Sequence, residues 1–310
     1  MRVAVTGSSG LIGTALVAAC RAAGDEVVRV VRAAPGDAGS GAVAWDPPAG
    51  TVDAAGLEGL DAVVHLAGAG IGDARWTPER KRLIRESRLV STDLLARTLA
   101  SLERPPAVLV SASAVGWYGG RRGDEELDED SPPPVEPDFL AEVCRDWEAA
   151  TGPAEAAGIR VVHLRTGIVL ARQGGVLARL LLPFRLGLGG RTGSGSQWMS
   201  WIALDDEVGA IRHIIATGEL HGPVNATAPN PVTNLEFART LARVLGRPAV
   251  LPTPLLPLRI RYGNELVQHL LVEGQRVRPA RLLATGYEFA HPELEGALRA
   301  LLDRPAAGAA

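Results

Sequence analysis

Residues 2–13 read RVAVTGSSGLIG, and this stretch decides the fold. The β-branched run Arg2 to Thr6 predicts a strand, and Leu11 to Ala23 predicts the helix that follows it. Gly7, Gly10 and Gly13 fill the turn and the first helical residues. The first glycine permits the tight turn, the second lets backbone approach a pyrophosphate, and the third lets helix pack on strand. A helix N-terminus adds free N–H groups and a partial positive charge. Thr6, Gly7, Ser9, Gly10, Leu11, Ile12 and Gly13 therefore form a candidate dinucleotide cradle.

The same alternation continues outward. Glu26 to Arg32, Ala42 to Asp46, Asp61 to Leu66, Ala107 to Ala112 and Arg160 to Leu164 read as strands. Pro78 to Ala100 and Phe139 to Ala157 read as helices between them. Strands alternating with helices predict an α/β fold, a Rossmann-type doubly wound parallel sheet. Residues 1–170 are expected to form this domain, with a strand and a helix returning from about 200–230. Residues 171–303 are expected to make mainly a smaller C-terminal substrate lobe, with helices at Gly174 to Leu186, Asp205 to Ala216, Asn234 to Leu245 and Pro257 to Leu271. Residues 304–310 read as a frayed tail, and Asp124 to Asp130 (DEELDED) as a solvated loop.

Composition narrows the function. The 310 residues carry 32 basic and 35 acidic groups, net charge -3, which argues against a nucleic-acid binder. Cys20 and Cys144 are too few for a disulfide framework, and no metal site is expected. No apolar run reaches the roughly 18 residues of a membrane span. The opening MRVAVTGSSG enters structure at once, so a cytoplasmic setting without a leader is the expectation. Lys81 is the one lysine, so any lysine chemistry must use it.

The second strand ends Val30-Val31-Arg32-Ala33, with no acid to accept from a ribose hydroxyl. Arg32 suits the 2′-phosphate of NADP instead, and Arg29, inside the strand, suits it less. NADP is the expected cofactor.

The glycine spacing, with DAVVHLAGAG and VLVSASAVGWYG, resembles an extended short-chain dehydrogenase/reductase of the NAD-dependent epimerase/dehydratase superfamily. RWTPERKRLIRESR, DFLAEVCRDWE, GSGSQWMSWIALDD and QRVRPARLLATGYEF resemble an atypical epimerase-like branch, whose small C-terminal domain has no assigned role. The resemblance implies that Asp46 touches the adenine and that Leu66, Ala67 and Gly68 run under the pyrophosphate and the nicotinamide ribose. It implies further that Arg88 and Ser111 face the cofactor and that Thr166 and Gly167 approach the nicotinamide. His65 reads as structural.

In that superfamily a tyrosine moves the proton, and a lysine four residues later lowers its pKa. A serine orients the substrate. Ser113 matches the serine, with Ser111 the lesser choice. The helix alignment puts Leu140 at the tyrosine and Cys144 at the lysine, and no tyrosine-x-x-x-lysine exists in the chain. Ser113, Tyr118 and Cys144 are the candidate catalytic groups. Trp76, Trp117, Trp198 and Trp201 are expected around the cleft and suggest an apolar or planar small-molecule substrate. Two functions follow: an NADP-dependent oxidoreductase or epimerase-like enzyme with a non-standard site, or a non-catalytic NADP(H)-binding redox sensor. Oligomer formation stays open.

Overall fold

The computed structural model describes residues 1–33, 38–39 and 41–303. The tail expected at 304–310 lies outside the described residues. The first half of the chain runs β1 (Arg2–Thr6), α1 (Leu11–Ala22), β2 (Glu26–Arg32), β3 (Ala42–Asp46), β4 (Thr51–Val52), β5 (Ala62–His65), α2 (Pro78–Ala100) and β6 (Val108–Ala114). It continues with β7 (Arg121–Leu127), α3 (Phe139–Ala149), α4 (Gly152–Ala156), β8 (Arg160–Thr166), β9 (Ile168–Ala171) and α5 (Gly175–Arg185). Then come β10 (Trp198–Met199), β11 (Trp201–Ala203), α6 (Leu204–Ala216), β12 (Gly222–Ala226), β13 (Val232–Thr233) and α7 (Asn234–Leu245). The last elements are α8 (Leu255–Tyr262), α9 (Asn264–Val267), β14 (Gly274–Val277), α10 (Ala280–Ala284) and α11 (Leu294–Leu301).

The main sheet has eight strands in the order β12-β8-β6-β5-β1-β2-β3-β4, all parallel except the β3–β4 pair at one edge. Both faces are covered, so both sets of alternating side chains are apolar. Val3, Val5, Val64 and Val110 pack with Leu16 of α1 and Ile211 of α6. Ala4, Val28, Val63 and Leu109 point the other way, onto Leu95 and Leu99 of α2. Each such side chain contributes about 1.5–3 kcal/mol when fully buried. A second apolar cluster, built from α5, α7, α11 and β11, forms the lobe.

Three expectations need correcting. Phe139 to Ala157 is not one helix: α3 stops at Ala149, Thr151 Oγ1 donates to the Glu148 carbonyl at 2.7 Å, and Pro153 offers no N–H to continue the ladder. Pro257 to Leu271 is likewise broken, because Gly263 sits at φ +87° between α8 and α9. The acidic run is not simply a loop. Its first half belongs to β7, which pairs in parallel with β14, and Glu126 bridges to Arg276 and Arg278.

Candidate functional site

The strand order reverses between β1 and β5, the point at which doubly wound sheets bind ligands beyond their C-terminal edge. Gly7 leaves β1 at φ +62°, and a Cβ there would lie 2.8 Å from the Leu66 carbonyl carbon. A Cβ on Gly13 would fall 2.2 Å from Gly7 O. The protein's own backbone requires these two glycines. Gly10 is exposed, and its Cβ would meet only Gly7 O, at 3.2 Å. No side chain caps α1 and no acid lies in its first turn, so its leading N–H groups are open to an anion.

The cradle is braced from behind. Thr6 Oγ1 accepts from the N–H groups of Leu66 and Ala67 at 3.0 and 3.2 Å, so its own proton goes to His65 Nδ1 at 2.8 Å. That leaves the imidazole N–H on Nε2, where it donates to Thr92 Oγ1 at 3.0 Å. Burial holds His65 neutral, with its pKa pushed down to about 4. Its role is bracing.

Arg88 lines the adjoining cleft, donates from Nη1 to the carbonyls of Ala69 and Ile84, and lies 4.8 Å over the Trp147 ring. It meets no carboxylate within ion-pair distance among the described residues, so an anionic ligand would complete it. Arg32 is exposed at the end of β2, and Asp46 is half-buried at the end of the neighbouring β3. Arg29 donates to Ser8 Oγ at 3.1 Å and is spent bracing the loop. Ser9, Leu11, Ile12 and Gly68 stay at least partly accessible around the turn. Ser111 is buried beside His65 in the sheet register, and its hydroxyl has no partner among the described residues.

A cleft of about 260 Å³ opens past the ends of β6 and β8. Ala114, Gly116, Leu140, Cys144, Thr166 and Gly167 form its sheet side, and Trp198, Met199 and Phe237 its lobe side. Of the four tryptophans, Trp198 lines it, Trp76 stacks on His269, Trp117 lies under Arg165, and Trp201 is buried in the lobe core.

The three candidate catalytic groups separate. Cys144 lines the cleft, but burial pushes its thiol up to about 12, so it stays neutral and donates weakly to Ala114 O at 3.7 Å. Ser113 does not line the cleft; its hydroxyl donates to Glu148 Oε1 at 2.7 Å. Glu148 also accepts two bonds from Arg165, at 2.8 and 2.9 Å. Arg165 in turn donates to Tyr118 OH at 3.1 Å, and that hydroxyl donates to Asn225 Oδ1 at 2.8 Å. Tyr118 is wholly buried, and its pKa is raised to about 12. Ser113 and Tyr118 thus belong to one buried network that ties β6, α3, β8 and β12 together.

Sequence reasoning missed three groups. His269 and Glu273 line the cleft from the lobe; their four-residue spacing was the available signal. Glu207, in the first turn of α6, is fully buried. Thr166 Oγ1 donates to its Oε1 at 2.8 Å, and Oε2 has no partner among the described residues. Desolvation raises its pKa to about 8, so the folded chain holds a neutral carboxylic acid beside Thr166. A raised folded-state value stabilises the fold fully below the ordinary carboxylate range, and that contribution is lost as pH climbs towards 8. Glu207→Gln should abolish this loss, gaining on the order of a few kcal/mol over the wild type near pH 8. Denaturant melts across that pH range check it.

Comparison with known proteins gives matches of three kinds: to family models, to a curated relative and to solved structures. Residues 3–226 match the NAD dependent epimerase/dehydratase family, and residues 253–301 match a domain of unknown function. An epimerase family protein of Mycobacterium bovis is 45% identical over 303 residues, covering 98% of each chain. The crystal structure of human epimerase family protein SDR39U1 with NADPH superposes with a TM-score of 0.88, at 39% identity over 98% of this chain and 99% of that one. A nucleoside-diphosphate sugar epimerase structure from Corynebacterium glutamicum gives 0.80 at 38% identity, over 97% of this chain and 58% of that one.

Proposed function

Because the chain belongs to the NAD dependent epimerase/dehydratase family, we propose that it is an NADP(H)-dependent oxidoreductase or epimerase-like enzyme acting on a small apolar or planar carbonyl or alcohol. The observation that carries this reading is the adjacency of an anion-ready helix terminus to an apolar cleft. Leu11, at the start of α1, lies 3.0 Å from where a Cβ of Gly174 would stand, and Val176 of the following helix lines the cleft. The N–H groups of α1 would hold the pyrophosphate, Arg32 the 2′-phosphate and Asp46 the adenine. Arg88 would meet negative charge at the cleft end. The dinucleotide, when bound, supplies or accepts a hydride there. The relative solved with NADPH supports the choice of NADP over NAD.

Titrating NADPH and NADH into the purified chain tests the cofactor. NADPH should bind more tightly, and Arg32→Asp should cost about 1.5–3 kcal/mol of that preference. Equal affinities in the wild type would remove the assignment. Loss of NADPH absorbance with planar carbonyl compounds then tests for turnover. The sensor reading draws on one observation, the leucine and neutral thiol that α3 presents to the cleft. It prevails if NADPH binds but no carbonyl is reduced.

A further inference from the structure

Resting on the enzyme reading above, we propose that His269 is the proton-transferring residue of the cleft, supplied by the C-terminal lobe to the end of α3 that bears Leu140. His269 lies in a π-helical turn over residues 268–272, between α9 and β14, and it lines the cleft. Its Nδ1 is 3.0 Å from Glu273 Oε2 and 3.7 Å from Asp138 Oδ2. That Glu273 oxygen is buried and makes no hydrogen bond among the described residues, so its approach to Nδ1 is a contact of charge; the other, Oε1, accepts from Arg121 at 2.7 Å and from Gln268 at 3.2 Å. Asp138 is the cap of α3, accepting through Oδ1 from the N–H groups of Leu140 and Ala141. The histidine is therefore docked on the turn where relatives of this fold would present their tyrosine. Trp76 stacks on the imidazole at 5.8 Å and fixes its plane.

Nδ1 facing carboxylates leaves Nε2 on the opposite edge of the ring, and Nε2 has no hydrogen bond among the described residues. A base held beside carboxylates and against a tryptophan ring, with its second nitrogen open to a cleft, is an arrangement suited to general acid–base catalysis. Asp138, Glu273 and, behind Glu273, Arg121 are the charged groups placed against the ring; Lys81 is one layer away, paired with Glu265. Asp138, His269 and Glu273 each place one ligand atom within 4.8 Å of the others, a set that would also suit a cation. Asp138 Oδ1 is committed to the helix cap and Glu273 Oε1 to Arg121, which leaves each carboxylate a single oxygen beside the imidazole.

In carbonyl reduction the C=O π pair moves to oxygen as a hydride reaches the carbon. Oxygen takes the proton from Nε2, so an O–H bond forms and the Nε2–H bond breaks. The imidazolium becomes neutral imidazole and regains its proton from water. Alcohol oxidation runs the same transfer backwards.

The test uses the full chain with NADPH and two probes, phenanthrenequinone and nitrobenzaldehyde. His269→Gln should lower turnover about 10²–10⁴-fold, with NADPH affinity and Tm unchanged and with partial rescue by added imidazole. The pH dependence of reduction by the wild type should flatten in the variant. Glu273→Gln should lose less turnover. Independently of turnover, nitrogen NMR of the cofactor-free wild type should show the His269 Nε2 signal moving when phenanthrenequinone is added. If His269→Gln does not fold, Glu273→Gln and the NMR signal decide. Unchanged turnover and pH profile in the histidine variant overturn the assignment and leave the enzyme reading standing. No NADPH oxidation by the wild type overturns both. Stoichiometric zinc binding that is lost in His269→Gln also overturns it, because Nδ1 would then be a ligand.

Discussion

Gly13→Ala is expected to unfold the nucleotide half of the chain, whereas Gly10→Val should leave it folded and unable to hold a dinucleotide. The difference lies in what a Cβ would meet. At position 13 it would enter the Gly7 carbonyl oxygen at 2.2 Å and come within 2.9 Å of Ser8 Cα. Both are backbone atoms, so either α1 moves off β1 or the turn opens. Overpacking of this kind costs about 1–3 kcal/mol when side chains can yield, and more when only backbone is available. At position 10 the nearest atom is 3.2 Å away, and the added isopropyl group would project where the anion-ready N–H groups point. Thermal melts should show a large drop for Gly13→Ala and little for Gly10→Val. NADPH titration should show no binding to either. A Gly10→Val chain that binds normally would mean the cradle lies elsewhere.

Glu148→Ala should cost about 3–5 kcal/mol of folding stability. The substitution strands the Arg165 guanidinium, 3% exposed, without its bidentate partner, and it leaves the Ser113 hydroxyl without its acceptor, while Tyr118 keeps Asn225. Ser113→Ala removes one hydrogen bond from a network that otherwise survives, and should cost about 0.5–1.5 kcal/mol. Its turnover should stay close to that of the wild type, because the hydroxyl faces Glu148 and not the cleft. Urea unfolding of both variants, read beside the NADPH assay, separates a bracing network from a reacting one. A Ser113→Ala chain that is fully stable but inactive would return the serine to the chemistry.

The central strands were legible because each carries its own signal. Both faces of β1, β5 and β6 are covered, so the runs are mainly valine, alanine and leucine, and the polar residues Thr6, His65, Ser111 and Ser113 fall towards their C-terminal ends. The glycine turn after β1 was legible for a related reason: at Gly7 and Gly13 the chain's own backbone approaches too closely for any side chain. The long helix expected to end at Ala157 failed at Thr151 and Pro153, where one side-chain bond and one missing N–H outweigh an otherwise helical composition. Ser113 and Tyr118 pointed to chemistry by position, yet where their hydroxyls go is set by Glu148, Arg165 and Asn225, which are distant in sequence. His269 was overlooked for the same reason. Nothing within its own segment announces that Asp138 and Trp76 will meet it.

The pairing of β7 with β14 also sets a timetable for synthesis. Glu126 and Arg278, joined across that seam, are 152 residues apart in the chain. At about 5–20 residues per second, a ribosome needs about 8–30 s to deliver the second strand after the first. Through that interval β7 has no partner strand, while β8 and β12 of the main sheet are still being added. Edges of this kind recruit neighbouring polypeptides unless they carry charge. Asp124, Glu125 and Glu126 lie within β7, and Asp128 to Asp130 follow it directly. Arg121 and Arg122 open the strand, so the acidic excess lies in its second half and just beyond; like-charge repulsion there would keep nascent chains apart on a polysome until Arg276 and Arg278 arrive to pair with Glu126.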